Sequence, residues 1–193
     1  MSILIIEDQL ITAEEIAEFL TEEGFDIIDT VPSADAALKR CEALSVPLKV
    51  AICDINLKEG ANGIALAEKL VELYKCEIIF LSAYTDIPTL NEAFNIKPVM
   101  YVSKPYLNKQ LLIAVHMAMH KHYEKQKEQP SIKIELSKRE IEIVGLIREG
   151  LSSKQVADRL FIAKDTVNTH RRNILQRYGL HNFSQLIYLL SRQ

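Results

Sequence analysis

The sequence has little of what marks a secreted or membrane-bound protein. Its longest strongly apolar runs, such as residues 3–6 and 111–115, are far shorter than the roughly 18 residues that a membrane-spanning helix needs. No basic residue precedes Ile3, and the acidic pair Glu7 and Asp8 follows soon after it. The chain therefore lacks the charged start and long apolar stretch of a secretory signal. We expect a cytoplasmic protein without membrane contact.

Cysteine is also scarce. The three cysteines, Cys41, Cys53 and Cys76, are an odd number without C-x-x-C spacing, so we expect reduced thiols rather than a disulfide framework or a zinc site. With 6 Gly and 6 Pro among 193 residues, 48% hydrophobic and 25% charged, the chain does not have a collagen-like or disordered composition. Its length allows two compact domains or one large domain.

Charge is distributed unevenly along the chain. Residues 1–130 hold 12 Lys and Arg against 20 Asp and Glu, a balance of −8. Residues 131–193 hold 11 against 6, a balance of +5. A basic C-terminal segment on an acidic protein is typical of a module that binds a polyanion, although an exposed basic surface alone would also account for it.

The first 122 residues alternate short apolar runs with amphipathic stretches. Apolar runs of strand length occur at 3–6, 25–31, 48–53, 78–81 and 99–102. Stretches with apolar residues at helical spacing occur at 12–20, 33–44, 64–74, 87–94 and 107–122. This alternation predicts a doubly wound α/β domain with a five-stranded parallel sheet over residues 1–122.

The rest of the chain has a different pattern. Residues 123–132 are highly charged and without apolar periodicity, so we predict an exposed linker. Residues 133–193 predict a small all-α domain of four helices. Capping boxes begin the first two helices at Ser137 and Ser152, and the third and fourth cover 165–178 and 184–190. The residues expected on the buried face of the first helix are Ile141, Val144, Leu146 and Ile147.

Polar side chains follow the predicted strands where each one ends. Glu7 and Asp8 follow the first strand, Asp54 the third, Ser82 the fourth and Lys104 the fifth. Because the carboxyl ends of parallel strands lie at one edge of the sheet, these side chains should converge. Crowded carboxylates need a cation, and oxygen ligands suit Mg²⁺. An aspartate beside that metal can accept a phosphoryl group, which the lysine and the hydroxyl would contact.

These residues carry a specific resemblance. The segments IIED at 5–8, ICDINL at 52–57, FLSA at 80–83 and YVSKP at 101–105 resemble, in order and spacing, the flavodoxin-like receiver domain of two-component response regulators. The resemblance implies that Asp54 is the phosphoacceptor. It implies that Mg²⁺ is bound by Glu7, Asp8, Asp54 and the backbone carbonyl of Asn56. It further implies that Ser82 and Tyr101 form a switch pair and that Lys104 contacts the phosphoryl group. The peptide bond before Pro105 should be cis.

Residues 137–193 resemble the LuxR/NarL-type helix-turn-helix domain through LSKRE at 136–140, GLSSKQVA at 150–157 and TVNTH at 166–170. On the 165–178 helix, Val167, Ile174 and Leu175 can pack inward, and Arg171 and Arg172 can face outward. The resemblance implies base contacts in the major groove from Asn168, Thr169 and Arg172. It implies contacts with DNA phosphates from Lys154, Lys164, Arg171 and Arg177.

The sequence leaves two rival functions open. A phosphohydrolase related to haloacid dehalogenases would also use an aspartyl nucleophile, but it carries a second aspartate two residues later, where this chain has Asn56. A receiver could also control DNA binding without phosphorylation. The presence of Asp8, Asp54 and Lys104 argues against this alternative. The histidines at helical spacing, which we expect to be surface residues rather than metal ligands, are His116, His120 and His122.

The favoured hypothesis is a response regulator that is phosphorylated on Asp54 and regulates transcription through its C-terminal domain. It would not be an enzyme beyond its own phosphoryl transfer and slow dephosphorylation. Its expected partners are a sensor histidine kinase or a small phosphodonor and double-stranded DNA. We also expect a homodimer when it is phosphorylated or bound to DNA, with a surface from residues 87–94 across to 107–115 as the candidate contact.

Overall fold

The computed structural model describes residues 3–57, 62–83, 87–125 and 132–193. The strands are β1 (Ile3–Ile6), β2 (Ile27–Val31), β3 (Val50–Asp54), β4 (Glu77–Ser82) and β5 (Met100–Ser103). The helices between and after them are α1 (Leu10–Glu22), α2 (Ala34–Glu42), α3 (Gly63–Tyr74), α4 (Ile87–Asn95) and α5 (Asn108–Lys125). The C-terminal helices are α6 (Lys138–Arg148), α7 (Ser153–Leu160), α8 (Lys164–Tyr178) and α9 (Phe183–Leu190).

The five strands form one parallel sheet in the order β2-β1-β3-β4-β5. Every residue of β1, β3 and β4 is buried, because their nearly unbroken apolar sequences are covered on both faces. One apolar layer lies between the sheet and α1 and α5, and the other between the sheet and α2, α3 and α4. The predicted doubly wound α/β fold is confirmed. The strand order reverses between β1 and β3, which opens a crevice at their carboxyl ends.

Two strands begin two residues later than the sequence predicted. Phe25 precedes β2 and Leu48 precedes β3, and both side chains are buried although neither residue is in a strand. The backbone N–H of Phe25 donates to the carbonyl of Leu20 at 3.0 Å, so this residue closes the end of α1. Apolar residues in tight connections therefore extended the apparent strands.

The C-terminal helices begin and end at the predicted signals or within one residue of the predicted bounds. Both capping boxes are formed, at Ser137 before α6 and at Ser152 before α7. Gly150 and Gly179 follow α6 and α8 with φ of +83° and +62°. Residues with a Cβ rarely adopt this backbone conformation. The expectation that Ile141 lies on the buried face of α6 is wrong, because its side chain is 57% exposed. Ile143 is fully buried on this helix instead.

The receiver-like part and the C-terminal helices share one apolar layer. The layer of α1 and α5 continues into buried residues of α6, α7 and α9, and α5 packs along α9. The hydrogen bonds that join these helices include that of His116 Nδ1 with Ser184 Oγ at 2.8 Å and that of Asn182 Nδ2 to the hydroxyl of Tyr123 at 2.9 Å. The expectation of a surface histidine is therefore wrong for His116, which is half-buried between the two helical surfaces.

The predicted linker, 123–132, overlaps the end of α5, which continues to Lys125. Its residues 126–131 lie outside the described part of the chain. Among the described helices, none is long and apolar enough to cross a membrane.

Candidate functional site

The predicted polar residues meet at the carboxyl edge of the sheet. Glu7 and Asp8 follow β1, Asp54 ends β3, and Lys104 follows β5. One carboxylate oxygen from each of the three acidic residues lies within 4.8 Å of the other two. Since these residues come from β1 and β3, on either side of the point where the strand order reverses, the fold itself creates the cluster.

Lys104 connects two of the three carboxylates. Its Nζ donates to Glu7 Oε2 at 2.5 Å and to Asp54 Oδ2 at 2.6 Å. Burial alone would lower the pKa of this ammonium, but hydrogen bonds and charge from Asp54 and Glu7 outweigh it and raise the pKa. Lys104 therefore stays protonated and supplies a fixed positive charge to the site.

The cluster nevertheless keeps an excess of acidic groups. Glu7 is 1% exposed and Asp54 is 5% exposed. Burial raises the pKa of Glu7 despite its contact with Lys104, because an ionised carboxylate loses hydration there. Three carboxyl groups against one ammonium, all with oxygen ligands, form a donor set that suits Mg²⁺. The residues present therefore fit a magnesium ion.

Backbone groups hold Asp54 in place. Its Oδ1 accepts the backbone N–H of Asn56 at 2.9 Å. Gly63, the first residue of α3, packs directly on the main chain of Asp54 and donates its N–H to the carbonyl of Ile55 at 3.0 Å. A Cβ at Gly63 would overlap the Asp54 carbonyl oxygen, so this close approach requires glycine. The sequence analysis did not identify this role of Gly63.

The predicted switch residues lie on the neighbouring strands. Ser82 ends β4 and is fully buried, and the N–H of Lys104 donates to its carbonyl at 2.7 Å. Tyr101 is half-buried on β5, paired in register with Phe80. The peptide bond between Lys104 and Pro105 is cis, as the resemblance implied. A backbone hydrogen bond thus joins Ser82, the predicted switch residue, directly to Lys104.

The C-terminal domain presents the predicted base-reading residues on α8. Thr169 and Arg172 are exposed, and Asn168 is partly exposed. The Thr169 hydroxyl donates to the carbonyl of Asp165 at 2.8 Å, which fixes its side chain against the helix. These three residues are accessible in the described conformation.

The predicted phosphate-contacting residues have different surroundings. Lys154 is exposed. Lys164 pairs with Glu22 of α1 at 2.9 Å, and Arg177 pairs with Glu140 of its own domain at 2.7 Å. The expectation that Arg171 faces outward is wrong: it is 8% exposed and forms an ion pair with Glu23 of the receiver-like part at 2.7 Å. Packing of α1 against α7 and α8 buries it.

Sequence reasoning missed two residues at this contact. Glu23 lies at the C-cap of α1, and Ser153 is the first residue of α7. The one local signal was an acidic residue at the end of a helix, where the helix dipole disfavours negative charge. Ser153 lies within a capping box, and that assignment hid its contact with α1.

Two family patterns match this chain. Residues 3–116 match the response regulator receiver domain, and residues 135–190 match the bacterial regulatory proteins of the luxR family. Together they cover both structural parts described above.

The chain is also similar to named relatives and solved structures. The chain is 34% identical to the transcriptional regulatory protein TdiR of Thauera aromatica, over 73% of this chain and 65% of TdiR. It is 25% identical to the oxygen regulatory protein NreC of Staphylococcus haemolyticus, over 100% of this chain and 98% of NreC. Among solved structures, the response regulator StyR matches 100% of this chain and 98% of its own, with a TM-score of 0.53 and 25% identity. The receiver domain of a modulated diguanylate cyclase from Desulfovibrio desulfuricans G20 gives a TM-score of 0.59 and 26% identity, over 64% of this chain and 97% of that chain.

Proposed function

Because the chain belongs to the response regulators and joins a receiver domain to a LuxR-family regulatory domain, we propose that phosphorylation of Asp54 controls its binding to DNA and thereby transcription. The observation that supports this proposal is the cluster of Glu7, Asp8 and Asp54 with Lys104, in which Glu7 and Asp54 are buried. It combines a carboxylate nucleophile, ligands for a cation and a fixed ammonium at one sheet edge.

In the proposed reaction, an oxygen of Asp54 forms a bond to phosphorus while the bond from phosphorus to the donor breaks. The donor, a histidine kinase or a small acyl phosphate, leaves with that electron pair. Lys104 lies 2.6 Å from Asp54 Oδ2 and can transfer its hydrogen bond to a phosphoryl oxygen. A Mg²⁺ ion held by Glu7, Asp8, Asp54 and the carbonyl of Asn56 would neutralise charge on the phosphoryl oxygens.

Hydrolytic turnover is not part of the proposal. A phosphohydrolase needs an acid or base next to its nucleophile, and the residue two positions after Asp54 is Asn56. A carboxamide cannot act as a general acid or base at neutral pH, so the aspartyl phosphate should persist. This favours a switch over an enzyme that turns over substrate.

Substitution of the phosphoacceptor tests the receiver. Incubation of the full chain with a small acyl phosphate and Mg²⁺ should add one phosphoryl group, measured by intact mass. Asp54→Asn should abolish the gain, and Asp8→Asn should weaken it greatly because a metal ligand is lost. Asp35→Asn, at an exposed aspartate of α2, is the matched control. Labelling of Asp54→Asn equal to the parent would show that the phosphoacceptor is another residue.

Substitution on α8 tests the DNA-binding part. Arg172 is exposed beside Thr169, so its guanidinium can reach guanine in the major groove. Arg172→Ala should cost about 1–3 kcal/mol on the best duplex selected from a random pool, and far less on unselected DNA. Arg159→Ala, at an exposed arginine of α7, serves as the control. An equal loss on both kinds of DNA would refute base reading by Arg172.

A further inference from the structure

The end of α1 and the start of α7 meet in a buried polar contact. The backbone N–H of Ser153 donates to Glu23 Oε1 at 2.8 Å, and its hydroxyl donates to Oε2 at 3.0 Å. Arg171 Nη1 donates to the same Oε2 at 2.7 Å, while its Nη2 donates to the backbone carbonyl of Glu23. Glu23 is 4% exposed, Arg171 8% and Ser153 0%. A single carboxylate is therefore enclosed by donors from the C-terminal domain.

Glu23 is poorly suited to its own helix. As the C-cap of α1 it places a negative charge next to the last carbonyl groups, where the helix dipole is also negative. Its carboxylate is stabilised across the interface instead, by the N-terminus of α7 and the guanidinium of Arg171. Glu23 opposes its local helix, and among the described residues its carboxylate is hydrogen-bonded by the other domain, which indicates a function in contact between the domains.

The donors belong to a site that the C-terminal domain builds by itself. Arg171 Nη1 also donates to the Ser153 hydroxyl, and its guanidinium lies 4.9 Å from the centre of the Phe183 ring. Both contacts lie within α7, α8 and α9, so they would persist if Glu23 left. What remains is an oxyanion site of one amide, one hydroxyl and one guanidinium at a helix N-terminus.

We infer that this pocket of Ser153, Arg171 and the α7 N-terminus is a binding site for a DNA phosphate, which the Glu23 carboxylate occupies while the two domains are in contact. This inference rests on the proposed DNA-binding function and adds a defined site to it. Helix N-termini and arginine are common ligands of the DNA backbone. Arg171 and Arg172 lie on the same helix with their side chains about 100° apart around its axis, so α8 would carry both a phosphate contact and a base contact.

The neighbouring ion pair has the same character. Lys164, the first residue of α8, pairs with Glu22 at 2.9 Å. Thr169 and Arg172 meanwhile stay exposed on the same helix. The acidic end of α1 thus takes up two cationic side chains suited to phosphate while leaving base-reading side chains accessible. Contact between the domains should weaken the salt-dependent part of DNA binding and preserve the preference for sequence.

Two substitutions with opposite expected effects test the inference in the full chain. Glu23→Ala should vacate the pocket and tighten binding to duplex DNA about tenfold, since a charged hydrogen-bonded competitor is removed. Arg171→Ala, added to Glu23→Ala, should weaken that binding about tenfold and reduce the dependence of log K on log salt by about one. Arg171→Lys in the same background should restore part of the salt dependence. Glu15→Gln, at an exposed position of α1, is the control for net charge.

The outcomes separate this inference from the proposed function. If Arg171→Ala tightens DNA binding in the parent and changes nothing in the Glu23→Ala background, Arg171 acts only in domain contact and the inference is wrong. It is also wrong if Glu23→Ala leaves DNA affinity at the parental value. Thermal unfolding of each variant checks that the fold is retained. If neither the parent nor any variant binds DNA at any salt concentration, the proposed function is wrong and the inference is wrong with it.

Discussion

Gly150 offers a direct test of how the two domains pack. It follows α6 with φ of +83°, and a Cβ added there would lie 2.6 Å from Ile113 Cγ1 and 2.8 Å from its Cδ1. Ile113 belongs to α5 of the receiver domain, so the clash exists only while the domains are in contact. Carbon atoms pack at about 3.5–4.0 Å, so Gly150→Ala would force roughly 1 Å of separation.

The cost of this substitution has two parts. A left-handed backbone with a Cβ costs about 1–2 kcal/mol, and overpacking against Ile113 adds about 1–3 kcal/mol. Gly179→Ala provides the matched control, because Gly179 has φ of +62° and nothing within 4 Å of an added Cβ. The control should show the backbone cost alone. Separation of the two domains would relieve the overpacking against Ile113. We therefore expect Gly150→Ala to shift the protein towards a conformation in which the domains are apart.

Hydrogen exchange and DNA binding of the full chain measure the effect. Gly150→Ala should raise exchange along α5 and α9 and tighten DNA binding, whereas Gly179→Ala should change only stability towards urea. Ile113→Ala combined with Gly150→Ala should restore protection, since it removes both clashing atoms. Equal exchange patterns for the two glycine variants would refute the described packing of Gly150 on Ile113.

Two further predictions concern the proposed phosphorylation site and the domain interface. Gly63→Ala should push α3 away from Asp54, breaking the hydrogen bond to Ile55, and slow labelling by an acyl phosphate while costing about 1–3 kcal/mol in urea unfolding; labelling at the parental rate would contradict this. Burial, with a smaller effect from the Arg171 charge, lowers the pKa of His116 from 6.5 to about 3. Domain contact therefore favours the neutral ring. The free energy that the neutral ring contributes to domain contact is present above pH 6.5 and is lost as the pH falls towards 3. Between pH 7 and pH 5 the contact should weaken by at most about 2 kcal/mol, seen as faster exchange on α5; the same acid response in His116→Asn would assign it to another group.

The receiver fold and its acidic cluster could be predicted from sequence because their signals are local. The runs 3–6 and 78–81 are apolar along their whole length, which indicates strands buried on both faces. Glu7, Asp54 and Lys104 follow three such runs, and parallel strands bring their carboxyl ends to one edge whatever the packing details. Short-range pattern and the topology of a parallel sheet were therefore sufficient for these residues.

The sequence signals that predict the helix ends of the C-terminal domain are equally local. Ser137 and Ser152 satisfy backbone donors within one turn of their own helices, so their capping boxes depend on no distant residue. The boundaries of β2 and β3 were less accurate, because burial of Phe25 and Leu48 extended each apolar run beyond its strand. An apolar side chain reports burial, but only backbone pairing defines a strand.

Tertiary structure alone decided the surroundings of Arg171, His116 and Glu23. By its position on α8, Arg171 could face outward, yet it pairs with a carboxylate 148 positions earlier in the chain. Helical periodicity describes the faces of one helix and carries no information on which distant surface covers them. The packing of α1 and α5 against α7, α8 and α9 buries these side chains. The sequence by itself determined the two folds and the acidic cluster at the sheet edge, and only the contact between the domains decided which basic side chains are buried or paired.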